Sequence, residues 1–329
     1  MKIDFVMMWV DGNDLEWRKE KNKYLPKEDE VNNDVRFRDW ELLKYWFRGI
    51  EKYASWVNKI YFVTWGHLPE WLDTNNEKIV VVNHKDFIPK QYLPTFNSHT
   101  IELNLHRIKG LSEHFVLFND DTFIINEMLQ RDFFQNGLPC DAAILNPIIS
   151  EGRDHFSNVS TNNMAIINNN FNKKETLKKG KEKWFSLKYG KDLIRTINLS
   201  IWPKFPGFYN SHLPNAYLKS TFDEVWKKEN AVLDETCHSH LRNNHTNVNQ
   251  WVMKYWQFCQ NNFMPRSPKV GKYYEIKDKN EIIKQEILKG KLKMICLNDS
   301  AKIENFDRTK NEIISIFEEK LPEKCSFEK

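Results

Sequence analysis

Asn119-Asp120-Asp121 follows directly on Phe115-Val-Leu-Phe118, so two adjacent carboxylates close an apolar run in this 329-residue chain. Hard oxygen ligands in that position can hold Mg²⁺ or Mn²⁺ against a diphosphate, the cation offsetting the phosphate charge. The same residues would also serve as a capped turn at a strand end. Asp11 and Asp14 close a second apolar run, Ile3 to Val10, where Asp11-Gly12 is foremost a turn dipeptide. If both runs are strands of one parallel-rich sheet, four carboxylates gather at its carboxyl edge, and like charges held that close demand a cation. Cys237, His238, His240 and His245 offer sulfur and imidazole for zinc, but on one short stretch they are cramped for a tetrahedral site. No GxSxG or GxxxxGK[ST] occurs, which counts against hydrolase and kinase readings.

The elements that must position these residues alternate between strand and helix. Ile3 to Val10, Ile60 to Thr64, Ile79 to Val82 and Phe115 to Phe118 read as buried strands. Between them, Trp40, Leu43, Trp46, Phe47, Ile50 and Val57 recur at helical spacing from Asp39 to Val57. A second helix is expected from about Ser98, with Asn97 or Ser98 as N-cap, to Gly110 as the stop. The pattern predicts an α/β fold with a Rossmann-like parallel sheet in residues 1–150. Residues 151–210, rich first in Asn, then in Lys, then in aromatics and Pro, read as an insertion: a lid facing an acceptor, or a solvated helix and loop. Residues 211–329 are expected to add helices, at Pro214 to Trp226, Asn247 to Phe258 and Asn311 to Leu321, with a short strand at Ile295 to Asp299. All three parts are read as one catalytic domain.

Composition narrows the partners. The 49 Lys and Arg against 45 Asp and Glu leave +4, too small an excess and too lacking in a recognisable module for a nucleic-acid binder. Five Cys without a CxxC pair fit a reducing, cytoplasmic setting better than a disulfide framework. No run reaches the ~20 apolar residues of a membrane span, and Asp4 interrupts the stretch a signal peptide would need apolar. Peripheral contact with the inner membrane face stays open, through Trp and Lys.

Read together, the pieces carry a resemblance. Trp9-Val-Asp-Gly-Asn-Asp14, Arg36-Phe-Arg-Asp-Trp-Glu-Leu-Leu-Lys-Tyr45, Ile50-Glu-Lys-Tyr-Ala-Ser-Trp-Val57, Ile60 to Thr64 and Leu117-Phe-Asn-Asp-Asp121 are similar, in order and spacing, to blocks of the Stealth family of sugar-phosphate transferases. Ser211-His-Leu-Pro214 with the His240-Leu-Arg242 stretch leading to Asn249-Gln-Trp251 resembles the third block, and Cys296-Leu-Asn-Asp299 the short fourth. The resemblance implies a GT-A-like nucleotide-sugar fold and transfer of a sugar 1-phosphate from a UDP-sugar to a hydroxyl of a polysaccharide or lipid-linked glycan, releasing UMP. It also implies Mg²⁺ or Mn²⁺. The rival readings are a glycosyltransferase that releases UDP and a silent glycan-binding protein.

On that basis the metal-diphosphate site is expected at Asp120 and Asp121 with Asp299, and Asp11 near the nucleotide or metal. Arg242 is expected to clamp phosphate, since a guanidinium fork matches two phosphate oxygens. His212, in the block where the family carries a functional histidine before Pro, is the expected general base; Asp11 or Asp120 is the competing one. Asn298 is expected to orient substrate or a metal-bound water, and Arg36, Arg38, Asn97 and His99 to contact the uridine diphosphate or sugar, with helix capping and surface pairing as their alternative.

Overall fold

The computed structural model describes residues 1–25, 38–150, 152, 155–300 and 302–329. Five strands form the main sheet in the order β3 (Ile79–Asn83), β2 (Ile60–Thr64), β1 (Ile3–Met8), β4 (His114–Phe118) and β8 (Asn215–Leu218). The first four are mutually parallel, in register Phe5↔Ile60, Ile60↔Ile79 and Ile3↔His114, and β8 runs antiparallel along β4. The expected Rossmann-like core is therefore present, and the edge at which sheets of this kind commonly bind ligands is where β1, β2 and β4 end.

Both faces of this sheet are covered, which is why its strands read as near-continuous apolar runs. Phe5, Phe62, Val116 and Phe118 point into one core with the helices Leu43–Tyr53, Glu281–Lys289 and Phe306–Lys320. Val6, Val63, Phe115 and Leu117 point into the other, with Ser98–Asn104, Ser157–Asn170, Lys219–Lys228 and Trp251–Cys259. Buried Asp4 is accommodated because it accepts from Asn58 Nδ2 at 2.6 Å and the Ser112 amide at 2.7 Å.

A second sheet starts where the first stops. β5 (Thr122–Ile124) pairs antiparallel with β11 (Met294–Asn298), which lies parallel to β10 (Gly271–Glu275). Asp120 and Asp121 thus occupy the joint between two sheets, and the Leu297 amide donates to Asp121 O at 2.8 Å. A small third sheet joins β6 (Phe134–Gln135), β7 (Leu138–Asp141) and β9 (Met264–Pro265).

Several expected boundaries shift. The helix expected from Pro214 begins only at Lys219, because Asn215 to Leu218 pair with the open edge of β4. The helix from Asp39 starts at Leu43, the Ser98 helix passes into a 3-10 turn at Leu105–Arg107, and the last helix starts at Phe306, capped by Asn305. Within 151–210, the helix Ser157–Asn170 buries Val159, Met164, Ile166 and Ile167 in the second core. Its Asn163 Nδ2 donates to Asn249 Oδ1 at 2.8 Å, so this part of the stretch is built into the body of the protein.

Candidate active site

The β4–β8 ladder closes at Leu117↔Asn215, so the residues leaving β4 and those entering β8 share one end of the sheet. Asn119-Asp120-Asp121 leaves there and His212 arrives there. Asp120 opens onto the rim with protein packed behind it, and that enclosure, together with the Asp39 carboxylate, pushes its pKa up to about 6. Asp121 is half-buried, and burial plus the neighbouring Asp120 push it up to about 7. Its Oδ2 lies 3.4 Å from the Cys296 thiol of β11, while its buried Oδ1 has no hydrogen-bond partner among the described residues. Asp39, itself raised by burial and by the charges of Glu41 and Asp11, links Asp11 to the pair.

Arg242 supplies the opposing charge. Its Nη2 donates to Ser98 Oγ at 2.6 Å, and its guanidinium lies in the field of Glu102, Asp120 and Asp121. Glu102 is buried on the helix Ser98–Asn104, accepts from the Gln250 amide at 3.2 Å and is pushed up to about 7 chiefly by burial. The guanidinium therefore lies in the combined field of a buried carboxyl and the acidic pair at the rim.

His212 sits at φ +53°, a left-handed turn just before β8. Its ring lies 5.5 Å from that of Trp251 and 5.3 Å from that of Tyr273; the residue is exposed at the rim, but the protein packed around the ring and the charge of Lys254 lower its pKa, leaving the imidazole neutral at pH 7. Lys254 is held in turn by Asp141 at 3.0 Å and Asn215 at 3.1 Å. Tyr273 also feels the charge of Asp121.

The other expected residues fare differently. Asp11 forms a turn through Asn13, and its amide donates to His67 Nε2 at 2.7 Å. Asp14 caps the helix Leu15–Asn22 through the Trp17 amide and lies 3.5 Å from His67 Nδ1. Arg38 grips both oxygens of Asp299, at 2.9 and 2.5 Å, and stacks on Phe306 at 4.5 Å, so metal binding by Asp299 would require this pair to open. Asn298 ends β11 with its side chain donating to Asp299 O at 2.8 Å. Asn97 is fully buried: it caps its helix through the His99 amide and donates to Asn247 Oδ1 and Ser239 O, so its side chain is tied into the fold. His99 is likewise buried, 6.2 Å from the Phe156 ring. Arg36 lies outside the described residues.

The donor set suits a hard cation. Among the described residues no three His, Cys, Asp or Glu groups converge as ligands. The candidate ligands among the described residues are the Asp120–Asp121 pair, with Asp121 Oδ1 lacking a hydrogen bond, and Mg²⁺-type ions characteristically complete such a shell with water and phosphate oxygens. In the Cys237 cluster, the thiol is buried against Asn104, and His238 and His240 use Nδ1 on the carbonyls of Asp234 and Pro94.

Comparison with known proteins matches residues 1–29 to Stealth protein CR1, conserved region 1, and residues 36–140 to Stealth protein CR2, conserved region 2. Over all of its length the chain is 47% identical to a capsular polysaccharide phosphotransferase WcwK of Streptococcus pneumoniae, covering 98% of that protein. The chain belongs to the Stealth family. It is also 42% identical, over 99% of its length, to the exopolysaccharide phosphotransferase cps2G of Lactiplantibacillus plantarum, covering 96% of it, and to the receptor polysaccharide phosphotransferase WefC of Streptococcus gordonii, covering 99% of it. A crystal structure of the galactosyltransferase LgtC with donor and acceptor sugar analogs aligns over 95% of each chain with a TM-score of 0.41 and 9% identity. Within this Stealth chain, Asp39, Glu102 and Tyr273 were not expected at the site. Asp39 stands in the quoted second block, and Glu102 is a charge among the buried residues Thr100, Ile101 and Leu103; Tyr273 carries no sequence signal at all.

Proposed function

We propose that this Stealth chain transfers a sugar 1-phosphate from a UDP-sugar to a hydroxyl of an acceptor glycan in capsular or exopolysaccharide synthesis, leaving a phosphodiester and releasing UMP. One observation carries the reading: an acidic pair with an orphaned carboxylate oxygen shares the field of Arg242, and a neutral histidine enters the same edge of the sheet beside Tyr273. A diphosphate needs cationic partners, and an attacking hydroxyl needs a base.

In this reading the acceptor oxygen forms a bond to the phosphorus that bears the sugar. The bond from that phosphorus to the bridging oxygen breaks, and UMP leaves with the electron pair. The imidazole of His212 takes the hydroxyl proton, as its lowered pKa permits at neutral pH. Arg242 lays its fork on phosphate oxygens, held in place by Ser98 and Glu102 from behind. Asp120 and Asp121 would hold Mg²⁺ or Mn²⁺, whose charge would offset that of the diphosphate. Tyr273 and Trp251 flank the base and limit its rotation.

The test is the nucleotide released when the protein, Mg²⁺ or Mn²⁺, a panel of UDP-sugars and a capsule oligosaccharide are incubated. UMP with a phosphodiester in the product is expected. UDP with a plain glycosidic bond would overturn phosphotransfer in favour of glycosyl transfer.

A further inference from the structure

The described residues hold eleven large exposed apolar side chains, and five of them fall between 187 and 202: Leu187 at 88%, Ile194 at 60%, Ile197 at 49%, Ile201 at 80% and Trp202 at 54% exposure. Ile194, Ile197 and Ile201 follow one another at helical spacing, so they share one face of the helix Leu193–Leu199 and the turn after it. The opposite face is anchored. Thr196 is buried and its Oγ1 accepts from the Leu145 amide at 3.1 Å. Buried Lys173 donates to the carbonyls of Leu199, Ser200 and Trp202 at 2.5, 3.0 and 2.7 Å, closing the helix end and holding the Ile201-Trp202 turn outward. These side chains are displayed on a braced element; they are not the loose end of a frayed one.

The surroundings are basic. Residues 181–204 carry six Lys and Arg against two acidic residues. One of the two, Asp192, already faces Arg195 at 3.4 Å. Lys188, Lys191 and Lys204 are exposed around the apolar face. An apolar ridge with an aromatic tip and a lysine flank fits the boundary between acyl chains and anionic headgroups. A second copy of this chain fits less well, since a two-fold contact would bring the same lysines against one another.

We propose that residues 187–204 form a docking surface for an anionic lipid bilayer, with Ile197, Ile201 and Trp202 entering the acyl boundary and the lysines contacting headgroups. The surface stands apart from the reaction proposed above and does not depend on it. The two are nonetheless close along the chain: nine residues separate Trp202 from His212, and in between Phe208 bridges to Leu145 and the Tyr209 amide donates to Ile144 O at 2.9 Å.

The experiment is sedimentation of the full chain with phosphatidylcholine vesicles that contain or lack phosphatidylglycerol, at low and at physiological salt. Binding is expected only with phosphatidylglycerol and is expected to weaken as salt rises. The triple variant Ile197→Ser, Ile201→Ser, Trp202→Ser should bind about tenfold more weakly. Lys188→Gln with Lys191→Gln and Lys204→Gln should remove most of the salt-dependent part. All six side chains are exposed, and Lys188 and Lys204 add only single hydrogen bonds to the carbonyls of Pro265 and Asn168, so far-UV circular dichroism of both variants should match the parent and melting should stay close to it. The proposal is overturned if the parent does not bind, or if the triple variant binds as well as the parent. It is equally overturned if light scattering shows a dimer that the triple variant dissociates, since a second copy would then be what covers this face.

Discussion

His212 and Asp121 should separate in their kinetic effects, because one handles a proton and the other helps hold the diphosphate. His212→Ala removes the ring between Trp251 and Tyr273 without touching the Asp120–Asp121 pair. Turnover should fall by about 10²-fold or more, while donor affinity, read by calorimetric titration, stays close to the parent. Asp121→Ala should reduce both. Wild-type turnover in His212→Ala would remove the histidine from the mechanism. At this scale the sequence was only partly legible. An Asp-Asp pair after an apolar run shows its chemistry in its own spacing, whereas His212 could be singled out only by resemblance. At Asn97 a strong capping residue and a polar contact look alike in sequence, and its hydrogen bonds to His99, Asn247 and Ser239 tie it into the fold. Glu102 was missed because burial of a carboxyl is a tertiary fact, and the partners that face it there, Arg242 and Gln250, come from about 140 residues further along the chain.

The elements behind the acidic pair depend on close approach. Gly49, inside the helix Leu43–Tyr53, lies where an added Cβ would stand 2.6 Å from Ile124 O, the last residue of β5. Gly49→Ala must push that helix off the strand beginning immediately after Asp121. It should lower stability by about 1–3 kcal/mol, despite alanine's better helix propensity. Thermal melting checks this, and an unchanged or higher midpoint would show that the contact yields easily. The parallel strands were readable because residues buried on both faces leave uninterrupted apolar runs, as in β2 and β4. β8 was not, since Asn-Ala-Tyr-Leu suits a helix as well as a strand and the unfilled edge of β4 decides between them. Helix starts shifted for a related reason: Asn305 caps a helix whose apolar periodicity becomes visible only a turn later.

At the scale of the whole molecule, folding brings Asp39, Asp120 and Asp121 together from separate parts of the chain, and all three are held above the ordinary carboxylate range. A carboxyl with a raised folded pKa contributes stability that is fully present below its unfolded pKa near 4 and is lost as pH rises through the folded value. For Asp120 and Asp121 that loss spans roughly pH 4 to 7, with folded values of about 6 and 7. Buried His84 and His106, both pushed down to about 3, act in the opposite sense, costing stability as pH falls below about 6.5. The melting curve of the parent alone therefore mixes the two, and a difference between proteins isolates the rim. Asp120→Asn with Asp121→Asn should melt above the parent at pH 8, and the gap should close toward pH 5, where the parent carboxyls are largely protonated. Mg²⁺ or Mn²⁺ should raise the parent's midpoint more at pH 8 than at pH 5.5 and leave the double variant nearly unmoved. A gap that is flat with pH would mean that the pair does not repel as its burial requires. A divalent effect that survives in the double variant would place the cation elsewhere on the protein.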